Sequence, residues 1–454
     1  MGAAADSLGI AAFAVGGYVR DVLLQHESKD IDFVCLGSGV ALAEEVARRL
    51  GGLQVVVFQN FGTAMIRHGD LELEFVGARK ESYHQDSRKP VVENGTLEDD
   101  QNRRDFTINA LAVGINGVRF GELVDPFGGV EDMRRKVIRT PLAPDTTFSD
   151  DPLRMMRAAR FASRLGFDID PDTFESMTRN APRLQIVSME RVIDETNRIL
   201  QCEKPSYGFK LLFHSRLLHQ YFPEMAALQG VEYVGGNAHK DNFYHTLQVL
   251  DNICRMSDDL WLRWAAVLHD IAKPLTRRYD PQHGFTFHGH EEKGARMTPG
   301  IFRRLKLPMG ENMKFVQKLV RLHLRPISLV YEVTDSAIRR LLFEAGEDID
   351  ALMMLCRADI TSKNKEKVTR FLQNFDALEQ RMAEVEAKDG IRNFQPPLSG
   401  EEIMQVFGIP PGKLVGVIKD RIKDAILEGE IRNDREEAWQ LMIKIALENG
   451  LAPK

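Results

Sequence analysis

No two of the four cysteines in this 454-residue chain stand close enough to form a Cys-x-x-Cys pair. Cys35, Cys202, Cys254 and Cys356 are scattered singly, which argues against a disulfide framework and a zinc cluster. Reduced thiols and a cytoplasmic protein are the expectation. No apolar run approaches the roughly 20 residues of a membrane-spanning helix, so no membrane partner is expected. The first thirteen residues lack a basic cluster ahead of an apolar stretch and are not expected to act as a secretory leader. Net charge is small, −6 over the whole chain, so any nucleic-acid partner must be held by a local basic surface. Internal repeats and low-complexity segments are also missing.

What is present is length and a change of pattern. A chain this long exceeds one hydrophobic core, and two to four domains are expected. Up to about residue 145, short apolar runs alternate with helical patterns. Strands are predicted at "AAFAV", "IDFVCLG", "LQVVVFQ", "AMIRH" and "LELEFVGA", with a helix over "GVALAEEVARRLGG". From about residue 148 the pattern is helical almost without interruption, as in "DPLRMMRAARFASRLG" and "MERVIDETNRILQC". The polar stretch "YHQDSRKPVVENGTLEDDQN" (83–102), with Pro90 and Gly95, predicts a long mobile loop.

The first chemical cluster lies in "FAVGGYVRDVLLQHESKDIDFVCLG" (13–37). Asp30 and Asp32 are two apart in a strand, so both side chains leave one face. Two carboxylates that close repel unless a cation sits between them. Gly16 and Gly17 end the preceding strand without a side chain, which lets backbone N–H groups approach a phosphate. A helix then opens at "VRDVLL", and helix N-termini favour anions. Paired carboxylates beside a phosphate cradle suit two-metal phosphoryl or nucleotidyl transfer, for which Glu74 in "LELEFV" is the candidate third carboxylate. An Asp-x-Asp taken alone is more often a solvated strand face, so the motif gains weight only in the company of other motifs.

Four motifs stand in order along the chain: "GGYVRDVLL…DIDFV", "RRDFTINALAV" (103–113), "LVDPFGG" (123–129) and "DDPLRMMRAARFASRLGF" (150–167). Together, over residues 13 to 200, they make the chain resemble the class II tRNA nucleotidyltransferases. These are the CCA-adding enzymes, close relatives of bacterial poly(A) polymerases. The resemblance implies Mg²⁺ held by Asp30 and Asp32 with Glu74, and a nucleotide site drawing on Gly16, Gly17, Arg20, Arg103, Arg104, Asp105, Asn109 and Arg157. Asp105 and Asn109, four apart, are expected on one helix face. Asp151 and Arg154, three apart and likewise expected on one helix face, would read the incoming base. Arg offers only donors and Asp only acceptors. Cytosine and adenine share an amino donor beside a ring-nitrogen acceptor, whereas uracil and guanine present the reverse order. One Asp–Arg pair thus admits C and A and rejects U and G. The family usually has Glu-Asp where this chain has Asp150-Asp151. The segment "ARKESYHQDSRKP", with Arg79, Glu81, Asp86 and Arg88, resembles the family's flexible loop that assists the switch from C to A addition. Ser87 stands where glycine is usual between the Asp and the Arg.

A second cluster spans residues 239–360: His245, the pair His269-Asp270, His290, His323 and Asp359. Imidazoles and carboxylates on successive helices can converge on a divalent metal that activates water. The order resembles the HD phosphohydrolase superfamily, which implies a metal, Mg²⁺ or a transition ion, on His245, His269, Asp270 and Asp359. His290 and His323 would serve phosphate or a second ion. Between these histidines, "FRRLKLPMGENMKFVQKLVRLHLR" (302–325) carries seven basic residues against one Glu and is a candidate RNA-phosphate surface or a solvated helix pair.

The expected architecture is α+β. A nucleotidyltransferase head with a small mixed β-sheet flanked by helices (1–146) precedes an all-α neck for base recognition (147–205), an HD body (206–390) and a helical tail (391–454). The expected function is addition and repair of the 3′-terminal CCA of tRNA from CTP and ATP, with the tRNA acceptor arm as partner and a second, phosphohydrolase activity in the body. Rivals are a poly(A) polymerase, an enzyme adding only CC or only A, and an HD phosphohydrolase whose head merely binds RNA or nucleotide.

Overall fold

The computed structural model describes residues 1–453 except 59–61, 85–86, 231–232, 235–236, 239–240, 283, 331–333, 362–363, 393 and 395–396. The chain forms two compact units, Met1–Ala226 and Ala227–Lys454. Their helices and the mixed sheet of the first unit make the protein α+β.

Five sequence-predicted strands form as expected in the first unit: β1 (Ala12–Val15), β2 (Asp30–Cys35), β3 (Val55–Phe58), β4 (Thr63–His68) and β5 (Leu71–Gly77). β2 runs parallel to β5 and antiparallel to β1, and β4 is antiparallel to both β3 and β5. Alternation then sorts the side chains. Phe33 and Phe75, register partners, stack with centroids 5.1 Å apart on one face, where Leu73 and Ile66 are also buried. Asp30, Asp32, Glu72 and Glu74 fall on the other face. The predicted helix forms at Gly39–Arg49 and packs on β4 and β5.

The polar stretch after β5 departs from expectation. It forms an antiparallel hairpin, β6 (Arg79–His84) with β7 (Ser87–Asn94), and then the helix Leu97–Asn102. That helix starts with a capping box in which Thr96 and Asp99 exchange side-chain and backbone hydrogen bonds. The hairpin stands outside the main sheet, and its sequence carries no apolar alternation to announce it. β8 (Ala112–Gly114) and β9 (Leu123–Val124) then complete the seven-stranded sheet beside β1.

Two helical expectations fail locally. Asp105 and Asn109 share no α-helix: Phe106 is extended (φ −136°, ψ 152°) and only a short 3₁₀ turn, Thr107–Asn109, comes after it. Asp151 is not on the neck helix, which runs Leu153–Leu165; Pro152 precedes it and Asp151 is extended (φ −139°, ψ 100°). The residue before a proline is pushed out of the helical region, which explains the break. The neck helix packs on Met189–Leu200 and Pro205–His214. The approach to the latter is close: a Cβ on Gly208 would lie 3.2 Å from Ser163 Cβ of the neck helix.

In the second unit, helices begin at side-chain caps: Asp241 for Asn242–Cys254, Asp259 for Leu260–Leu268, Thr334 for Asp335–Ala345 and Asn364 for Lys365–Asp389. Two short antiparallel pairs, Tyr233–Val234 with Asn237–Ala238 and Arg278–Asp280 with Gly284–Thr286, accompany the helices. One core gathers Leu341, Leu352, Phe375 and Leu378; another, from Phe394 to Ala446, gathers Ile403, Ile418, Ile422 and Met442.

Candidate active sites

In the first unit, register brings the carboxylates together. Asp32 pairs with Glu74 and Asp30 with Glu72 across β2 and β5, so Asp32 and Glu74 leave adjacent strands on one face. Burial raises the pKa of Asp32 against the pull of Arg104, and Asp30 adds to the rise. Burial and the Asp32 charge likewise raise Glu74 against Arg79. These carboxylates supply hard oxygen donors, and their mutual repulsion calls for positive charge, which fits Mg²⁺.

A cavity of ≈ 410 Å³ opens at this face, lined by Asp30, Asp32, Arg20, Arg104, Asp105 and Asn109, among others. β1 delivers Gly16 at φ 72°, a left-handed conformation that favours glycine, and its missing Cβ leaves room for Arg104 Nη1, which would lie 2.6 Å from such a carbon. Arg20 is buried. Its Nη1 donates to Asn109 Oδ1 (2.6 Å), and its Nε and Nη2 reach Asp21 Oδ1 (2.8 and 2.7 Å). Asn109 Nδ2 donates to Asp105 Oδ1 (3.0 Å), and Arg157 donates through Nε and Nη2 to Asp105 Oδ2 (both 2.7 Å). Thus Asp105 and Asn109 touch as expected, but through a 3₁₀ turn. Burial opposes ionisation of Asp105, yet Arg157 and the Asn109 amide bring its pKa down to about 2.

Asp151 and Arg154 do not appear in that lining. Asp151 Oδ1 accepts from the Leu153 backbone N–H (3.1 Å), and Arg154 donates to the backbone carbonyls of Arg103 (2.5 Å) and Thr147 (3.4 Å). Of the expected flexible-loop residues, Asp86 lies outside the described residues, and Glu81 and Arg88 are strand positions on β6 and β7. Arg79 donates to Thr63 Oγ1 (2.9 Å).

Sequence reasoning missed four residues of this unit. Asp100, fully buried, takes Arg103 on Oδ1 (Nη2, 2.5 Å) and Arg104 on Oδ2 (Nη2, 2.9 Å). Its spacing, three and four before those arginines, was the available signal. Glu195 holds Arg160 at 2.5 Å and Arg157 at 3.8 Å. Phe161 and Arg160 line the cavity, at helical spacing from Arg157.

In the second unit the histidines and aspartates sit at or near helix ends. His245 lies on Asn242–Cys254, His269 comes just after Leu260–Leu268, His290 opens His290–Arg304, His323 comes just after Glu311–Leu322, and Asp359 ends Ile349–Asp359. Two groups have ligand atoms within 4.8 Å of one another: His245, His269 and Asp359, and Asp270, His290 and His323. Asp270 joins them. Its Oδ2 is 3.2 Å from His269 Nε2 and 3.5 Å from His245 Nε2, while its Oδ1 is 3.1 Å from His290 Nε2. Lys273, also missed in the sequence, donates to Oδ2 at 2.6 Å.

Hydrogen bonds from the far ring nitrogens fix the tautomers. Nδ1 of His269, His290 and His323 donates to the carbonyls of Ala266 (2.7 Å), Phe287 (2.8 Å) and Val320 (2.7 Å), and His245 Nδ1 meets Thr361 Oγ1 (3.0 Å). Nε2 of each of the three carbonyl-bound rings is then the position that takes a cation, a proton or a metal ion. His269 Nε2 is buried without a hydrogen-bond partner, and His290 Nε2 and His323 Nε2 face each other at 3.3 Å. Two lone pairs at that distance repel unless a cation lies between or beside them, so the donor set fits divalent metal. Burial lowers the basicity of His269, but Asp270 and Asp359 override it and lift its pKa to about 10. Those carboxylates demand positive charge in this place.

Family models match three stretches of the chain in order. Residues 12–139 match the poly A polymerase head domain, 166–229 the probable RNA and SrmB-binding site of polymerase A, and 242–364 the HD domain. The chain is 34% identical over 437 residues to an A-adding tRNA nucleotidyltransferase of Deinococcus radiodurans, covering 94% of this chain and 93% of that protein. It is 33% identical over 447 residues to a CC-adding tRNA nucleotidyltransferase of Thermus thermophilus, covering 95% and 93%. A crystal structure of a tRNA nucleotidyltransferase with a primer tRNA and an incoming ATP analogue aligns at TM-score 0.59 and 26% identity, covering 84% of this chain and 99% of that one.

Proposed function

Because the chain belongs to the tRNA nucleotidyltransferases of the poly(A) polymerase family and carries an HD domain, we propose that its head adds C, C and A to the 3′ end of tRNA. CTP and ATP are the donors and pyrophosphate is released. The observation that carries this reading is the Asp32–Glu74 register, with Asp30 on the same face, beside an arginine-lined cavity whose lining includes Asp30 and Asp32. Asp30 and Asp32 with Glu74 would hold two Mg²⁺ ions, which supply activation of the RNA 3′ hydroxyl and neutralisation of the leaving pyrophosphate. Gly16 and Gly17 let backbone approach the triphosphate. Arg20 and Arg104 offer donors to its oxygens, and Asp105 and Asn109 offer a polar pair to the ribose. Asp151 and Arg154 read the base edge, for which Arg154 exchanges its carbonyl contacts for the incoming nucleotide.

The body would hold divalent metal on His245, His269, Asp270 and Asp359, with His290 and His323 at a second ion or a phosphate, and would hydrolyse phosphate esters. The tRNA substrate and four cysteines that form no disulfide support a cytoplasmic enzyme. A partial adder is the second reading, favoured because the two near-full-length relatives are named for A addition and CC addition. The test is a gel assay on tRNA lacking its 3′ end and on tRNA ending in CC, with CTP, ATP or both. Full CCA addition on the first substrate supports the proposal. Arrest after CC, or extension of the CC substrate alone, supports the partial reading. A long run of A from ATP would instead indicate a poly(A) polymerase.

A further inference from the structure

On the neck helix Leu153–Leu165, Arg157, Arg160, Phe161 and Arg164 recur at helical spacing and all line the cavity that holds Asp30 and Asp32. A guanidinium carries every one of its donors in its own plane. In that plane Arg20 reaches Asp21 and Asn109, Arg157 reaches Asp105, and Arg160 reaches Glu195. The flat faces have another partner. The Cζ atoms of Arg160, Arg20 and Arg157 lie over the Phe161 ring, 4.2, 5.0 and 5.3 Å from its centroid. The ring itself is 5% exposed and pinned edge to face by Phe106, with centroids 5.8 Å apart at 79°.

In-plane hydrogen bonds leave a guanidinium free to tilt about the axis they define. A ring with a negative face removes that freedom without neutralising the cation, which an aliphatic side chain of similar size cannot do. We propose that Phe161 is a positioning residue for nucleotide addition, the seat on which Arg20, Arg157 and Arg160 are held in the orientation that receives the incoming nucleoside triphosphate. The proposal rests on reading this cavity as the nucleotide site.

The test compares Phe161→Leu with Phe161→Tyr in the full chain, each assayed well below its own melting temperature. Two quantities are measured: KM and kcat for CTP on a tRNA lacking CCA, and the Kd of CTP with Mg²⁺ by calorimetry in the absence of RNA. Phe161→Leu is expected to raise KM and Kd for CTP roughly tenfold while kcat and the KM for tRNA stay within about twofold. Phe161→Tyr keeps the ring and is expected to restore both to near the wild-type values. Unchanged CTP affinity in Phe161→Leu, or equal loss in the tyrosine variant, overturns the proposal. So does a fall in kcat together with a rise in KM for tRNA, which marks general loosening of the neck. If Phe161→Leu does not fold, Phe161→Met supplies the ringless comparison. Wild-type protein that binds CTP but extends no tRNA refutes the proposed function while the Kd comparison still decides the role of Phe161. Wild-type protein that binds no CTP refutes both.

Discussion

The two sites solve the problem of concentrated negative charge in opposite ways. In the body, four buried imidazoles converge within a few ångströms on buried Asp270 and half-buried Asp359, with each ring oriented by a bond from its far nitrogen. In the head, Asp30, Asp32 and Glu74 stand on an open strand face. Among the described residues, the only groups that bring three donor atoms within 4.8 Å are those of the body. On the proposed reading the body would cage its ions with protein ligands, whereas the head would leave coordination positions for substrate phosphates. That difference suits the proposed tasks. A hydrolase can hold its ions permanently, while a polymerising site must take its metals with each triphosphate and release pyrophosphate afterwards.

The strongest way to break this comparison is Asp32→Ala. The variant removes one ligand from a set with none to spare, and addition of C to tRNA is expected to fall by roughly a thousandfold or more in single-turnover assays. Its melting temperature should hold or rise slightly, because the carboxylate is strained by burial and by Asp30. Metal bound to the body, counted by elemental analysis, should be unchanged. Residual addition within tenfold of wild type would mean that the head carboxylates do not organise the reaction.

Next in size is Asp270→Asn, set against His290→Ala. Asp270 faces both ligand groups, one through each oxygen, so its loss should empty the body of metal and cut phosphohydrolase activity about a hundredfold. His290→Ala touches one group and should remove at most half of the bound metal. Head activity should survive in both. Equal metal loss in the two variants would show a single ion centre rather than two groups sharing Asp270.

A smaller effect sharpens the account of base choice. Arg154→Ala should lower CTP and ATP addition about ten- to a hundredfold and narrow the CTP-to-UTP efficiency ratio, since rejection depends on mismatched donors and acceptors. Its guanidinium now donates to the Arg103 and Thr147 carbonyls, so some stability should be lost as well. An unchanged ratio in Arg154→Ala and in Asp151→Asn would move base reading elsewhere.

Much of this was legible in the sequence because period-2 alternation and short motifs encode geometry directly. The Asp-x-Asp face and the order of the five strands come from it, as does the His and Asp order of the body. What resisted reading was decided by contacts between distant segments. The 83–102 stretch reads as a loop because its polar composition and Pro90 hide the hairpin of Arg79–His84 with Ser87–Asn94. Asp105 and Asn109 meet across an extended Phe106, not along a helix. Pro152 takes Asp151 off the neck helix, a break the Asp-Pro pair announces and that helical spacing alone obscures. Glu195 could not be found from spacing, since it meets Arg160 from 35 residues away and Arg157 from further still.

The smallest effect tests whether the head's charges are held as tightly as the body's. Asp105 is buried, and Arg157 and Asn109 bring its pKa to about 2, below its ordinary value of 3.8. A carboxylate whose folded pKa is depressed stabilises the protein fully above the unfolded value and loses that contribution as pH falls through the folded one. The window is therefore from about pH 4 down to about pH 2, and the contribution is about 2 kcal/mol. Asp105→Asn keeps the shape and removes the charge. Urea midpoints of the wild type and this variant should differ by a constant amount near neutral pH and approach each other on acidification through that window. The second-unit transition, followed separately by a fluorophore placed there, should respond identically in both proteins. A gap between the two proteins that stays constant down to about pH 2 would show that the Asp105–Arg157 pair is not what sustains the charge, and the head's arginine network would then owe its order to Glu195 and Asp100.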